Sequence, residues 1–292
     1  MRVLITGCNG QVGYCLTEQL NRKENTVVLA LTRDDLDITD ATAVQKIVFK
    51  FNPNVIINAA AHTAVDSAEK EMELSYKINR DGPKYLAEAA QKINAAMLHI
   101  STDYVFSGDK DGQYSPEDPT APQGVYGQSK LAGEQAVIEA CDKHIILRTA
   151  WVFGEHGNNF VKTMLRLGKD RDALSIVGDQ FGGPTYAGDI ADALIEIATQ
   201  IEQGKSIEYG VYHFSGYPHV SWFEFAQAIF SEVKTQQVLN NIPALSSIPT
   251  TEYPTPAKRP ANSKLATDKI MQSFGIEASD WQAALNQVKH YT

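Results

Sequence analysis

The opening residues, MRVLITGCNGQVG, set an apolar run directly before three glycines spaced three apart, Gly7, Gly10 and Gly13. RVLIT has the length and β-branched character of a buried strand. QVGYCLTEQL (11–20) carries Val12, Leu16 and Leu20 at helical spacing. A strand that turns through glycines into a helix is the first half of a βαβ unit, and the pattern repeats. TVVLAL (26–31), VIINAA (55–60), AMLHIST (96–102) and HIILRT (144–149) read as further strands. Helical faces lie between them at 43–51, 74–93 and 126–141. The alternation predicts an α/β fold, a Rossmann-type doubly wound parallel sheet covered on both faces.

After Trp151 the pattern is less regular. Helices are expected at 158–168 and 187–202, and a strand at GVYHFSG (210–216), back in the main sheet. A helix capped by Ser221 is expected over VSWFEFAQAIF. The five prolines of 243–260 argue against regular structure there. These readings divide the chain into a cofactor-binding domain at 1–155, rejoined by about 186–216, and a smaller C-terminal substrate-binding lobe of 156–185 and 217–292.

Composition removes several function classes. The formal net charge of −9 disfavours a nucleic-acid partner. No run approaches the ~18 apolar residues of a membrane span, and MRVLITG reads as strand and turn, not as a leader. Cys8, Cys15 and Cys141 have no metal-site spacing and read as reduced thiols. A cytoplasmic enzyme without a metal, monomeric or homodimeric, is the expectation.

The glycine turn suits a dinucleotide. Gly7, Gly10 and Gly13 allow a tight turn, close approach of a diphosphate and close helix packing, with the diphosphate on the free amides of the helix N-terminus. The second strand ends in LALTRDD, with no carboxylate at its tip but with Arg33. Arg33 is either a reader of a 2′-phosphate, which favours NADPH over NADH, or a solvated arginine. Asp40 reads as a helix cap.

Ligands of doubly wound sheets bind beyond the carboxyl ends of the strands. STDYVF (101–106) therefore brings Thr102, Asp103 and Tyr104 to that edge. Tyr126 and Lys130 start the next helix four residues apart, on nearly one face. A carbonyl that receives hydride needs a proton. A tyrosine near pKa ~10 supplies it poorly unless a neighbouring ammonium lowers that value. Lys130 is expected to do so, and Thr102 to orient the substrate oxygen.

Together these motifs resemble the extended short-chain dehydrogenases/reductases. VIINAAAHTAVDSAE, HISTDYVFSG, VYGQSKLAGE, LRTAWVFG, NNFVKTMLRL and YPTPAKRPANSKL resemble, along nearly the whole chain, the dTDP-4-dehydrorhamnose reductase family. The resemblance implies reduction of a 4-keto dTDP-sugar by NADPH or NADH. It implies Tyr126 as proton donor, with Lys130 and Thr102 beside it. It assigns Gly10, Gln11, Val12, Asp37, Ile38, Ala61, His62 and Thr63 to the cofactor, His62 through its backbone. It assigns Thr102, Asp103 and Trp151 to the sugar nucleotide. Trp151 also reads as core, and Lys258 and Arg259 either face the substrate diphosphate or solvent. Where some relatives carry acidic residues for an interface metal, this chain has Cys15. The remaining alternatives are a nucleotide-sugar epimerase or dehydratase of the same superfamily and a non-catalytic NADP-binding subunit like that of methionine adenosyltransferase. A dehydratase commonly has Asp-Glu after the threonine, whereas Asp103 is followed here by Tyr104.

Overall fold

In the computed structural model, which describes residues 1–291, the alternation begins with β1 (Arg2–Thr6), α1 (Gln11–Asn21), β2 (Val27–Leu31), α2 (Ala41–Phe51) and β3 (Val55–Asn58). Two short helices, α3 (Val65–Ala68) and α4 (Met72–Tyr76), lead through a π-helical turn (Lys77–Asp81) into α5 (Gly82–Lys92). Then follow β4 (Ala96–Thr102), α6 (Val125–Ala140) and β5 (His144–Thr149). The more irregular part holds β6 (Val152–Phe153), α7 (Phe160–Asp170), β7 (Ala173–Val177), β8 (Phe181–Gly182), β9 (Thr185–Tyr186) and α8 (Ala187–Glu202). It ends with β10 (Gly210–His213), β11 (Val220–Ser221), α9 (Trp222–Thr235), β12 (Ala244–Ile248), β13 (Asn262–Ser263), α10 (Asp268–Phe274) and α11 (Trp281–Leu285).

Six strands form one sheet in the order β10-β5-β4-β3-β1-β2, and every pairing in it is parallel. The chain leaves β1 for β2 on one side and then crosses to β3 on the other. That reversal is the switch point at which such sheets bind ligands. Period-2 alternation feeds two cores. Val3, Ile5, Ile57, Leu98 and Leu147 pack under α1 and α8. Leu4, Ile56, Met97 and Ile146 pack under α2, α5 and α6. Both faces are therefore dry, as a parallel sheet requires.

Local chemistry sets the ends of the helices. Asp40 caps α2 by accepting from the amides of Thr42 and Ala43. Ser221 and Glu224 form a reciprocal capping box at the start of α9. A separate cluster around Phe153, Met164, Phe225, Ile229 and Trp281 packs α7, α9 and α11 together.

Two expectations need correction. The helix expected over 74–93 is interrupted, because Lys77–Asp81 is wound as a π-turn. The segment 243–260 is not wholly irregular: Ala244–Ile248 pairs in parallel with β7. Two of its five prolines, Pro243 and Pro249, flank the strand, and none lies inside it to remove a ladder hydrogen bond.

Candidate functional site

The turn after β1 is shaped by close backbone contact. Gly7 has φ +73, and a Cβ there would lie 2.6 Å from the Ala60 nitrogen. A Cβ on Gly13 would lie 2.1 Å from the Gly7 oxygen, so α1 can pack this tightly only on a glycine. Gly10 caps α1 without a side-chain bond, leaving first-turn amides directed outward.

A cavity of about 420 Å³ opens here, lined by Gly7, Asn9 and Gly10, by Arg33, Asp37 and Ile38 after β2, and by Ala61 and His62 after β3. Gln11, Val12 and Gly13 sit behind it. Gln11 accepts from the Asn159 side chain at 3.0 Å, Val12 belongs to the core, and Gly13 packs beneath the turn. Thr63 is exposed beyond the lining. Asp37 is held below the usual carboxylate range, first by the Thr39 amide and hydroxyl and then by the charge of Arg33. A cation and an anion thus both line the cavity at the end of β2. An uncapped helix start, a glycine cradle and this charge pair fit a dinucleotide diphosphate with its adenosine ribose.

His62 is fixed through its backbone. Its amide donates to Asn79 Oδ1 at 2.8 Å, and Asn79 Nδ2 donates to the His62 carbonyl at 3.1 Å and to Ser129 Oγ at 3.0 Å. Ser129 in turn donates to the Tyr126 carbonyl. Asn79, which the sequence reading passed over, ties the loop after β3 to the helix of Tyr126. The π-turn carries it.

Thr102 ends β4. Its hydroxyl donates to Asp103 Oδ1 at 3.0 Å and accepts from the Tyr104 amide. Asp103 is buried and also accepts from Ser263 Oγ at 2.5 Å; burial pushes its carboxyl up to about 6 against those bonds. Tyr126 stands at the start of α6, whose first amide, on Val125, donates to Glu69. The Tyr126 and Tyr104 rings meet edge to face with centroids 5.4 Å apart.

Tyr126 and Lys130 have different surroundings. Burial pushes the Tyr126 hydroxyl above the usual tyrosine range, with Thr102 pulling the other way and Asp103 adding to the rise. Lys130 directs its amine elsewhere, donating to the Ile100 carbonyl at 2.7 Å with His99 Nε2 at 3.5 Å. Burial lowers Lys130 to about 8, opposed by the charge of Glu134 one turn on. Glu134 is itself buried, between Arg148 (2.7 and 2.9 Å) and Ser101 (2.5 Å).

A second cavity, of about 390 Å³, lies on the other side of Tyr104, between α7, α9 and β7. Trp151, in the left-handed region at φ +49, stacks on Trp222 with centroids 3.5 Å apart and planes 10° from parallel. Phe160 and Tyr253 extend this aromatic wall. Arg259 also lines the cavity and pairs with Asp66 at 2.6 Å. Lys258 points away from it, toward Gln123. Trp222 and Asp66 carried no separate signal in the sequence.

Among the described residues, no group of three or more His, Cys, Asp or Glu side chains is placed to hold a metal ion, and no helix is long and apolar enough to cross a membrane. A parallel sheet with a glycine turn at its switch point, and a Tyr and Lys on the helix beyond β4, is the frame of a Rossmann-type oxidoreductase. Residues 1–291 match the family model described as "RmlD substrate binding domain". A dTDP-4-dehydrorhamnose reductase of Aggregatibacter actinomycetemcomitans is 54% identical over 99% of both chains. One of Escherichia coli K12 is 41% identical over 99% of this chain and 97% of its own. The crystal structure of the dTDP-4-dehydrorhamnose reductase of Bacillus anthracis, in complex with NADP, is similar at a TM-score of 0.91 and 40% identity, covering 100% of this chain and 99% of that one. The chain belongs to the dTDP-4-dehydrorhamnose reductase family, and so to the oxidoreductases.

Proposed function

We propose that the protein reduces the 4-keto group of dTDP-4-dehydro-L-rhamnose to dTDP-L-rhamnose with NADPH, NADH serving less well. When bound, the reduced nicotinamide supplies the hydride. The cavity at the switch point takes the dinucleotide: Gly7, Gly10 and the first turn of α1 (Gln11, Val12, Gly13) hold the diphosphate. Arg33, Asp37 and Ile38 meet the adenosine end, and Ala61, His62 and Thr63 flank the nicotinamide ribose. The second cavity takes the sugar nucleotide, with Thr102, Asp103 and Trp151 on its inner side. In this reading residues 1–155 and 186–216 hold the cofactor, residues 156–185 and 217–292 hold the substrate, and the reaction runs in the cytoplasm.

The chemistry falls to three side chains. Tyr126 donates the proton to the carbonyl oxygen as alkoxide charge develops there. Burial raises its affinity for the proton, so the transfer needs the phenolate stabilised. Thr102 orients that oxygen. Lys130 holds the nicotinamide ribose and, once charged beside the cofactor, steadies the phenolate. The observation that supports the reading is that Tyr126 is linked to the lining of each cavity. Tyr104, against its ring, lines one; Asn79, bonded to its helix, holds the loop that lines the other. The test mixes protein, NADPH and enzymatically generated dTDP-4-dehydrorhamnose and follows the reduced-nicotinamide absorbance. Loss of absorbance only with substrate supports the reading, and no substrate-dependent loss with either cofactor overturns it.

A further inference from the structure

Behind the catalytic edge, three buried polar side chains stand in one row across the sheet. Thr6 of β1 is in register with Asn58 of β3, and Asn58 with His99 of β4. At most 1% of each is exposed. They follow Leu4, Ile56 and Met97 on this face, and a buried polar group is costly unless it is bonded.

Their bonding determines where the His99 proton lies. Asn58 Oδ1 accepts from the Ala60 backbone amide at 3.1 Å and from the Thr6 hydroxyl at 2.7 Å. A backbone amide can only donate, so the atom facing it is the carbonyl oxygen. Asn58 Nδ2 therefore faces His99 Nδ1, at 2.9 Å. An amide NH₂ also only donates, so Nδ1 must accept. Burial holds His99 neutral, well below the usual histidine range. A neutral ring that accepts at Nδ1 carries its proton at Nε2, and Nε2 lies 3.5 Å from the Lys130 amine.

We propose that His99 is a positioning residue for Lys130: held by Asn58 in the Nε2–H tautomer, it presents an N–H to the lysine. A charged ammonium meets that N–H donor to donor. A neutral amine accepts from it while still donating to Ile100. The row thus weighs toward the neutral lysine and Glu134 toward the charged one. The other titratable and charged groups around Lys130 are Tyr126 on its own helix, Arg148 of β5 behind Glu134, and Asp103 and Tyr104 on the turn after β4. The tautomer stands on geometry alone; its bearing on turnover rests on Lys130 acting with Tyr126.

The test is nitrogen NMR of histidine-labelled protein at neutral pH, free of substrate, with carbon NMR of labelled lysine across pH. The wild type is expected to show His99 unprotonated at Nδ1 and protonated at Nε2. Asn58→Asp keeps the shape but offers a carboxylate, which accepts from Nδ1–H and turns the Nε2 lone pair toward Lys130. The Lys130 midpoint should then rise by about one unit or more, and the pH profile of turnover should move with it. A proton on Nδ1 in the wild type overturns the proposal, as does an unmoved Lys130 midpoint in folded Asn58→Asp. Should that variant not fold, the wild-type histidine spectrum still decides. Failure of the reductase reading would appear instead as absent turnover with both spectra as expected.

Discussion

The two cavities are alike in size, about 420 and 390 Å³, and differ in what forms their walls. At the switch point the wall comes mostly from loops leaving β1, β2 and β3, with the main chain of Gly7 and Gly10 in it. Between α7 and α9 it is side chain, with Trp151, Phe160, Trp222 and Tyr253 drawn from four separated segments. A wall of amides recognises charge and ribose hydroxyls, which many ligands share. A wall of stacked rings recognises a flat, apolar outline. The first suits a common cofactor, and the second suits the part of a substrate that must be told apart.

If the two cavities are independent and meet only at Tyr126, Tyr126→Phe should leave binding in each unchanged and still lower turnover by about 10²–10⁴-fold. Stopped-flow turnover beside calorimetric NADPH titration checks this; a changed NADPH dissociation constant would break the separation. Next in size is a pH effect. Asp103 rises from 3.8 in the unfolded chain to about 6 in the fold. Its neutral form therefore favours the folded state, and this contribution, present below about pH 4, is lost as pH rises through 6. The loss is on the order of 3 kcal/mol. Urea melts of wild type and Asp103→Asn at pH 4 and pH 8 should show the variant gaining on the wild type by that order. A pH-independent gap would contradict the burial argument.

Two smaller effects should mirror one another. Arg33→Ala is expected to weaken NADPH by about tenfold, since Arg33 is exposed and a wet charged contact is worth less than a dry one. NADH binding should hardly change. Trp222→Ala removes the stack on Trp151 and should raise the KM for the sugar nucleotide by about 3–10-fold, leaving the NADPH dissociation constant alone. If either variant moves both ligands equally, the comparison fails.

The same difference explains what could be read in the sequence. Gly7, Gly10 and the strand tips announce a main-chain site, because glycine and β-branched runs have short-range meaning. The parallel sheet followed for the same reason, from alternation alone. Tyr126 and Lys130 were legible by their spacing. Trp222 was not, since nothing near it in the chain distinguishes a helix-face tryptophan in a core from one stacked on Trp151. Asn58 and His99 did leave a trace as polar residues within apolar strands. That pattern marks a buried bonded group without saying what it bonds. Spacing puts Tyr126 and Lys130 on one face but does not fix where a four-carbon side chain directs its amine, here to Ile100.

The π-turn at Lys77–Asp81 also fixes how long its helix can be. One residue more or fewer turns everything on one side of the turn by about 100° relative to the other. Glu71 and Ser75, ahead of it, must face the His62 ring, while Leu86, Ala87 and Ala90, beyond it, must face the sheet. An uninterrupted α-helix of the same length would satisfy one set and rotate the other away. The π-turn takes up that residue, and it carries Asn79 against His62.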